Sequence, residues 1–194
     1  MLSLFPEHPV MPEGFSYFPD FLSEEEETEL IALIINAAPK NMLFHGYEAK
    51  RKTVNFGFNW NFENRILSKG RDIPGELMWL VKRVSEKFLT GKEFIAQVLL
   101  TEYPPGAVIN WHRDAPPFRT VTGISLCNNC SFRFRPYDRT KQGRKNIITL
   151  PVARRSVYMM QGVSKTEWEH STLPLRSARY SITMRTLYQG SFDT

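Results

Sequence analysis

The stretch "TEYPPGAVINWHRDAPPF" at residues 101–118 places His112 and Asp114 one residue apart, after a proline-rich turn and a run of alternating apolar residues. In an extended strand successive side chains point to opposite faces, so these two would share a side, roughly 6 to 7 Å apart. An imidazole and a carboxylate at that distance can bind one metal ion. The alternative is a polar rim at the end of a strand, because H-x-D patterns also arise by chance.

A metal site of this kind needs a third ligand, and the chain has four histidines. Besides His112 the candidates are His8, His45 and His170. The sequence favours His170 because it lies in "KTEWEHSTLP" after the segment "SVYMMQG", where a neighbouring strand could bring it beside His112. Two imidazoles and one carboxylate on one face of an ion, with open positions opposite, form the site of non-haem Fe(II) oxygenases.

A second pattern, "RYSITMR" at residues 179–185, has arginines and hydroxyls at every second position. On a strand these side chains share one face: Arg179, Ser181, Thr183 and Arg185. Unpaired charge inside a core is strongly penalised, so an inward face of this kind indicates a bound dianion. A guanidinium binds a carboxylate through two parallel hydrogen bonds, which favours a small dicarboxylate. The alternative is the outward polar face of an edge strand.

The part of the chain after residue 93 consists of short apolar segments separated by turn signals, at intervals typical of a β-sandwich or roll. We predict β-segments at "FIAQVLLTEY", "AVINWH", "TVTGISLC", "SFRFRPY", "NIITLPV", "SVYMMQG" and "RYSITMRTLY".

Two helices are predicted before this β-rich part. Ser23 and Glu26 form an S-x-x-E capping box that begins a helix over about residues 23–37. A second helix is predicted within residues 73–91, stopping at Gly91, from apolar residues at spacings of three and four: Leu77, Leu80, Val81, Val84 and Phe88. Between the helices, alternating apolar residues predict a strand that shows Val54, Phe56, Phe58 and Trp60 on one face. The fold class is therefore α+β.

These motifs, taken in order over roughly residues 97–187, resemble the AlkB-like family of Fe(II)/2-oxoglutarate dioxygenases. The resemblance rests on "TEYPPGAVINWHRD", on the distal His170 and on the closing R-x-x-x-T-x-R of "RYSITMR". It implies a double-stranded β-helix (jelly-roll) core with the N-terminal helices packed on its major sheet. It also implies a single domain over residues 1–194, with a helical, substrate-covering part at 1–93 and a catalytic core at 94–190.

The same resemblance implies an oxidoreductase that uses Fe(II), O2 and 2-oxoglutarate as cosubstrate. His112, Asp114 and His170 would hold the iron and be the catalytic centre. The cosubstrate would be held by seven residues: Leu99, Thr101, Tyr103, Arg179, Ser181, Thr183 and Arg185. Of these, Tyr103 and Arg179 would bind the distal carboxylate, and Arg185 would lie near the metal-chelating end. Hydroxylation of an N-methyl group would release formaldehyde and the demethylated nitrogen.

The chain departs from the family pattern at three places. Thr101 and Ser181 stand where the family usually has Asn, which keeps hydrogen bonding but shortens the reach. After the H-x-D motif, the DNA-repair members carry an acidic residue that reads the damaged base, whereas residues 115–117 here are Ala-Pro-Pro. This last departure weakens an alkylated DNA base as the substrate.

The basic stretch "SFRFRPYDRTKQGRK", which includes Arg133 and Arg135, could follow a phosphate backbone, which favours a nucleic-acid substrate. Aromatic residues could stack on an extruded base or wall the site: Tyr47, Phe56, Phe58, Trp60 and Trp111. The alternatives are a solvated basic hairpin and an aromatic core under the sheet. Two other functions stay open, namely a protein demethylase or hydroxylase and a non-catalytic jelly-roll binding module.

Composition sets the remaining limits. At 194 residues the chain fits one domain with its own core, and its net charge of +5 with a pI near 9.3 favours an anionic partner. No apolar run approaches the ~20 residues of a membrane span, and no signal peptide is evident, so we expect a cytoplasmic monomer without membrane contact. The two cysteines in "LCNNC" are expected to be ordinary residues on a turn after a strand, since zinc sites of this kind need four ligands.

Overall fold

The computed structural model describes residues 10–44 and 47–188. Within this part the chain forms three helices: α1 (Glu24–Asn36), α2 (Met78–Phe88) and the short α3 (Val163–Thr166). Its strands are β1 (Phe15–Phe18), β2 (Lys40–Phe44), β3 (Tyr47–Asn61), β4 (Ile66–Lys69), β5 (Gln97–Tyr103), β6 (Phe118–Leu126), β7 (Cys130–Pro136), β8 (Ile148–Val152), β9 (Val157–Met160), β10 (Trp168–Thr172) and β11 (Arg179–Leu187).

The strands form two antiparallel sheets. The larger sheet has the order β1-β9-β6-β11-β5-β3-β2, with β4 paired to β3, and the smaller has the order β10-β7-β8. Non-consecutive neighbours in both sheets mean that the chain crosses repeatedly between them, as in a jelly roll. Val121 and Met160 from the large sheet pack against Phe132 and Phe134 from the small one. The space between the sheets is therefore a core, and the cavity described below lies within it.

The predicted capping box begins α1. The Ser23 hydroxyl accepts a hydrogen bond from the Glu26 amide, and the Glu26 carboxylate accepts one from the Ser23 amide. Leu30 and Ile34 of this helix lie in one buried cluster with Leu80 of α2 and Leu100 of β5. The two helices thus share a core with the face of the large sheet that points away from the small sheet. Helix α2 ends at Phe88, one turn before the predicted stop at Gly91.

Strand β11 lies in the middle of the large sheet, between β5 and β6. Its pairing with β5 sets six of the predicted cosubstrate residues directly opposite one another: Arg179 with Tyr103, Ser181 with Thr101, and Thr183 with Leu99. The seventh, Arg185, lies opposite Gln97. The alternative of an outward face on an edge strand is therefore wrong for "RYSITMR".

Two strand predictions need correction. The segment "AVINWH" is not one of the strands, although an isolated bridge pairs His112 with His170, and His170 itself lies on β10, which the sequence did not predict as a strand. The alternation in β3 is also interrupted. Gly57 is the last residue of β3 that pairs with β5, it adopts φ +78°, and its amide bonds to the Arg71 carbonyl. Val54 and Phe56 before the break lie in the helix-side core, whereas residues after it belong to a different cluster.

Candidate active site

Three side chains from two segments converge at one end of the jelly roll. His112 and Asp114 lie on the irregular segment that follows the turn after β5, and His170 lies on β10. The backbone amides and carbonyls of His112 and His170 pair with each other at 3.1 and 2.9 Å, which holds the two rings 4.2 Å apart between centroids. One ligand atom from each of the three residues lies within 4.8 Å of the others. This separation suits a single metal ion.

The two imidazoles are held in the form that binds metals. The Nδ1 atom of His112 lies 2.9 Å from the Asn110 carbonyl, so it donates there and leaves Nε2 with a free lone pair. Burial lowers the pKa of His112. Burial, together with the neighbouring His112 ring, lowers the pKa of His170 to about 3. His170 also stacks on Phe132, with 5.4 Å between ring centroids. Both rings are therefore neutral near pH 7.

The Asp114 carboxylate has two oxygens in different surroundings. Its Oδ1 lies 2.8 Å from Nε and 2.6 Å from Nη2 of Arg185. Burial acts to raise the pKa of Asp114, but the charge of Arg185 and its hydrogen bond to the carboxylate hold that pKa well below its usual range. The carboxyl group is therefore ionised.

A metal ion fits the remaining oxygen. Oδ2 of Asp114 is buried, accepts no hydrogen bond from the described residues, and lies 3.5 Å from Nε2 of His170. An unsatisfied buried carboxylate oxygen is costly, and a cation between it and the two imidazoles would satisfy it. The donor set of two imidazoles and one carboxylate is the one that non-haem Fe(II) uses.

Arg185 is fixed from its other side by Gln97, a residue that the sequence did not single out. Nη1 of Arg185 donates to Oε1 of Gln97 at 2.6 Å, and Nε2 of Gln97 donates to the Phe58 carbonyl at 2.7 Å. The guanidinium thus bridges the Asp114 carboxylate and Gln97, and Gln97 connects it to β3.

A second arginine lies deeper, and its surroundings fit a dicarboxylate. Arg179 is only 4% exposed, its Nε donates to the Ser125 hydroxyl at 3.1 Å, and its guanidinium lies 5.1 Å from the centre of the Tyr103 ring. The Tyr103 hydroxyl lies 3.2 Å from that of Ser181. No described carboxylate forms an ion pair with Arg179, so a buried cation is available to an anionic ligand.

A cavity of about 240 Å³ connects the three candidate metal ligands with Arg185 and Tyr103. Water in the liquid occupies about 30 Å³ per molecule, so the cavity can hold a small organic molecule. Among the predicted residues it is lined by the metal triad and by Leu99, Thr101, Tyr103, Thr183, Arg185 and Trp60. Arg179 and Ser181 are not on its lining, but both contact Tyr103, which is.

The predicted substrate residues divide into several groups. Trp60 lines the cavity, whereas Phe56 is a core residue at 8% exposure, as the aromatic-core alternative required. Phe58 packs in a small cluster around Ala96 and Phe118 and does not line the cavity. The side chain of Tyr47 lies outside the described residues, as do His8 and His45, the two rejected candidates for the third metal ligand.

Trp111, Arg133 and Arg135 lie together, but on the outer face of the small sheet rather than in the cavity. The guanidinium carbons of Arg133 and Arg135 lie 4.8 and 4.6 Å from the centre of the Trp111 ring. Strand β7 alternates, so Phe132 and Phe134 face inward while the two arginines face outward. Any contact of these three residues with a substrate would therefore be outside the pocket that holds the reacting group.

The sequence also missed a polar wall of the cavity on β3, formed by Arg51, Thr53 and Asn55. These residues alternate with the apolar ones that the sequence did identify, so the same period-two pattern carried the signal. Asn55 contributes Oδ1, a buried acceptor without a hydrogen-bond partner among the described residues. The wall thus offers hydrogen-bonding groups to whatever the cavity binds.

Comparison with known proteins gives the class. Residues 14–185 match the 2OG-Fe(II) oxygenase superfamily, which is most of the chain, and the protein belongs to that family. It is therefore an oxidoreductase whose cofactors are Fe(II), 2-oxoglutarate and O2, as the sequence predicted, and the alternative of a non-catalytic module is wrong.

Two curated relatives are AlkB homologues, which confirms the resemblance to that branch. The chain is 27% identical over 171 residues to the Mus musculus "tRNA (carboxymethyluridine(34)-5-O)-methyltransferase ALKBH8", covering 84% of this chain but 25% of that protein. It is 29% identical over 160 residues to the Danio rerio "Probable RNA/DNA demethylase ALKBH6", covering 77% and 65% respectively. The chain thus spans about a quarter of the length of the first relative.

Solved structures confirm the jelly-roll fold. The structure of OsALKBH1 matches with a TM-score of 0.68 at 14% identity, covering 91% of this chain and 97% of that one. A prolyl hydroxylase from Trichoplax adhaerens matches with a TM-score of 0.64 at 15% identity, covering 92% and 85%. Among the described residues, no helix combines the length and apolar character needed to cross a membrane.

Proposed function

We propose that this protein oxidatively demethylates an N-methyl group on nucleic acid, with iron held by His112, Asp114 and His170. The observation that carries the proposal is Oδ2 of Asp114, which accepts no hydrogen bond from the described residues and faces two neutral imidazoles, together with a buried Arg179 that pairs with no described carboxylate. Iron bound there would supply the coupled reaction in which O2 converts 2-oxoglutarate to succinate and CO2 and oxidises a substrate C–H bond to C–OH.

The protein's own residues would bind and orient the cosubstrate. Arg179 and the Tyr103 hydroxyl would take the distal carboxylate, because Arg179 is a buried cation with no described carboxylate partner and Tyr103, which it contacts, lines the cavity. Arg185 would lie at the opposite, metal-chelating end, where its charge is already shared with Asp114. The space between these ends would be lined by Leu99, Thr101 and Thr183, with Ser181 next to the Tyr103 hydroxyl. Thr101 and Ser181 would leave more room there than the Asn residues of the family pattern.

The substrate would lie against β3. The free Oδ1 of Asn55 can accept a hydrogen bond from an N–H group on the edge of a base, and Trp60 supplies a ring for stacking. The names of two relatives refer to RNA or DNA, which supports nucleic acid as the substrate class. Residues 115–117 offer no carboxylate for reading an alkylated DNA base, so an RNA substrate is favoured over DNA.

The test is a turnover screen of N-methylated RNA, DNA and peptide pools, scored by formaldehyde and by succinate. Formaldehyde release from RNA that requires both Fe(II) and 2-oxoglutarate is the expected result. An Arg179→Ala variant should need a much higher 2-oxoglutarate concentration, whereas Arg176→Ala, which removes an exposed arginine nearby in sequence, should not. Formaldehyde from the peptide pool alone would reject nucleic acid and leave the oxygenase chemistry standing.

A protein demethylase or hydroxylase is the second candidate, because the fold is shared with prolyl hydroxylases and the Ala-Pro-Pro segment lacks a base-reading acid. Succinate formation without formaldehyde on peptides would favour a hydroxylase. Three further expectations stay predictions: the division into parts at 1–93 and 94–190, the monomeric state and the cytoplasmic location.

A further inference from the structure

The positive charge of the chain is concentrated in one hairpin, formed by β7, β8 and the loop between them. The chain has 25 Lys and Arg residues, of which this hairpin holds six, and 20 Asp and Glu residues, of which it holds one. The rest of the chain therefore has nineteen basic and nineteen acidic residues. The whole net charge of +5 therefore lies in the hairpin. Such an asymmetry produces a local positive potential that attracts polyanions.

Four of the six cations are exposed on the loop between the strands: Arg139, Lys141, Arg144 and Lys145. Two short 3₁₀ turns without buried residues carry them. Asp138 is the one acidic residue of the hairpin, and it lies 3.4 Å from Lys141. The loop therefore presents several cations that no acidic neighbour within it neutralises.

The other two cations, Arg133 and Arg135, lead from the loop to the metal-ligating segment. Both lie against Trp111, the residue before His112. Arg135 is paired with Glu169 at 2.6 Å, whereas Arg133 forms no ion pair among the described residues. The charge of Arg133 is therefore not neutralised by any described carboxylate.

A second contact connects the hairpin with the cavity itself. The guanidinium of Arg113 lies 3.4 Å from the ring centre of Tyr137, which is 48% exposed, and Arg113 also lines the cavity. A ligand on the hairpin would therefore pass next to the cavity. An exposed aromatic ring among cations is the combination that binds single-stranded nucleic acids, because bases stack while phosphates pair with the cations.

We infer that the outer face of the β7–β8 hairpin, with Arg113 and Trp111 at its base, is a docking surface for a single-stranded nucleic acid. The phosphates would contact Arg133 and the four loop cations while one nucleotide turns into the cavity. This inference deepens the proposed function, because it says where the substrate strand lies outside the pocket. A single nucleotide would contact only the pocket, whereas a longer strand would also reach the loop cations.

The test measures binding of an unmethylated, fluorescently labelled 20-nucleotide single-stranded RNA to the iron-loaded protein over a range of salt concentrations. The hairpin variant combines Arg139→Gln, Lys141→Gln, Arg144→Gln and Lys145→Gln. A matched control combines Lys40→Gln, Lys82→Gln, Lys92→Gln and Arg176→Gln, four exposed cations outside the hairpin. Both variants lower the net charge by the same amount, so they separate a local surface from a general charge effect.

The expected result is a loss of affinity of about tenfold or more for the hairpin variant at low salt, with a salt slope lower by up to about 3, as four lost phosphate contacts would give. The control should bind within about twofold of the wild type. Equal weakening of both variants would overturn the inference, and so would equal affinity for an oligoglutamate peptide or for vesicles of anionic phospholipid.

Because the RNA carries no methyl group, this result does not depend on turnover. A protein that binds RNA through the hairpin but yields no formaldehyde would refute the proposed reaction and keep the docking surface. If the protein demethylates RNA and the hairpin variant binds RNA with unchanged affinity, the docking surface is refuted and the proposed reaction is kept. Thermal melting of both variants should match the wild type, because none of the substituted side chains is buried.

Discussion

Oδ1 of Asp114 lies 2.8 Å from Nε and 2.6 Å from Nη2 of Arg185, which leaves Oδ2 directed at His170. The arginine thereby fixes which carboxylate oxygen is available to a metal. Gln97 fixes the arginine in turn, so the geometry of the metal site depends on a residue of β5 that touches no ligand directly.

Replacing Gln97 with Met should therefore loosen Arg185 while keeping a side chain of similar volume. We expect the KM for 2-oxoglutarate to rise about tenfold with a smaller change in kcat, because a hydrogen bond to a charged group contributes roughly 1.5–3 kcal/mol. Steady-state succinate formation measures both constants. Thr122→Val is the control, since the Thr122 hydroxyl is buried without a hydrogen-bond partner among the described residues and its removal should leave both constants unchanged. An unchanged KM in Gln97→Met would show that Asp114 alone positions Arg185.

Removing either of two triad residues should stop 2-oxoglutarate turnover but affect stability differently. Asp114→Ala leaves the guanidinium of Arg185, with its side chain 14% exposed, without a carboxylate, which should lower the free energy of unfolding by about 3 kcal/mol. His112→Ala removes a neutral ring at a partly buried position and should cost about 1 kcal/mol. Urea unfolding and iron content measure the two effects. Turnover in either variant would contradict the assignment of the metal ligands.

Much of the site was predictable because its signals are local. The every-second-residue pattern of Arg179, Ser181, Thr183 and Arg185 needs only the strand period, and the pairing with β5 then follows from the antiparallel register. The start of α1 at the Ser23 capping box was likewise contained in four consecutive residues. The position of His170 after "SVYMMQG" already favoured it as the third ligand, and the resemblance to AlkB-like proteins implied the same.

The parts that could not be predicted depend on contacts between distant segments. His170 lies in a strand whose sequence, "WEHST", is too polar to indicate β-structure, and it is ordered by pairing with β7 and with His112. Gln97 gains its role only because β5 and β11 pair in a register that sets it opposite Arg185. The outward direction of Arg133 and Arg135 was implied by the alternation of β7, but which face lay inward required the second sheet.

The break in β3 at Gly57 gives a third prediction. Gly57 has φ +78°, and a Cβ atom there would lie 2.1 Å from the Ala96 carbonyl oxygen, which belongs to the backbone beside Gln97. Gly57→Ala should therefore combine an unfavourable backbone conformation with a clash and destabilise the protein by several kcal/mol. Gly75→Ala is the control, because Gly75 has ordinary φ and no atom within 4 Å of its Cβ position. Denaturant unfolding should separate them, and equal stabilities would mean that β3 can rearrange freely beside the site.

The last prediction concerns the attachment of α1 to the catalytic sheet. Glu27 is 1% exposed, and its carboxylate accepts hydrogen bonds from the Cys127 amide at 2.8 Å and from Nε of Arg154 at 2.9 Å. Burial acts to raise the pKa of Glu27, but Arg154 and the Cys127 amide outweigh it and lower that pKa. Glu27→Gln should therefore lower the free energy of unfolding at pH 7 by about 2 kcal/mol, as expected for hydrogen bonds to a charged group.

The pH dependence follows from the direction of this shift. Because the pKa of Glu27 is lower in the folded protein than in the unfolded chain, where it is about 4.3, the ionised carboxylate stabilises the fold above that value. This stabilisation is lost as the pH falls through the lowered pKa, so wild type and Glu27→Gln should converge in stability at acidic pH. Glu24→Gln on the same helix is the control, since Glu24 is 69% exposed and lies 3.7 Å from Arg155. Its effect should stay below about 0.5 kcal/mol at either pH. A wild-type advantage over Glu27→Gln that persists unchanged at pH 3 would show that shape, and not the charge of Glu27, joins α1 to the sheet.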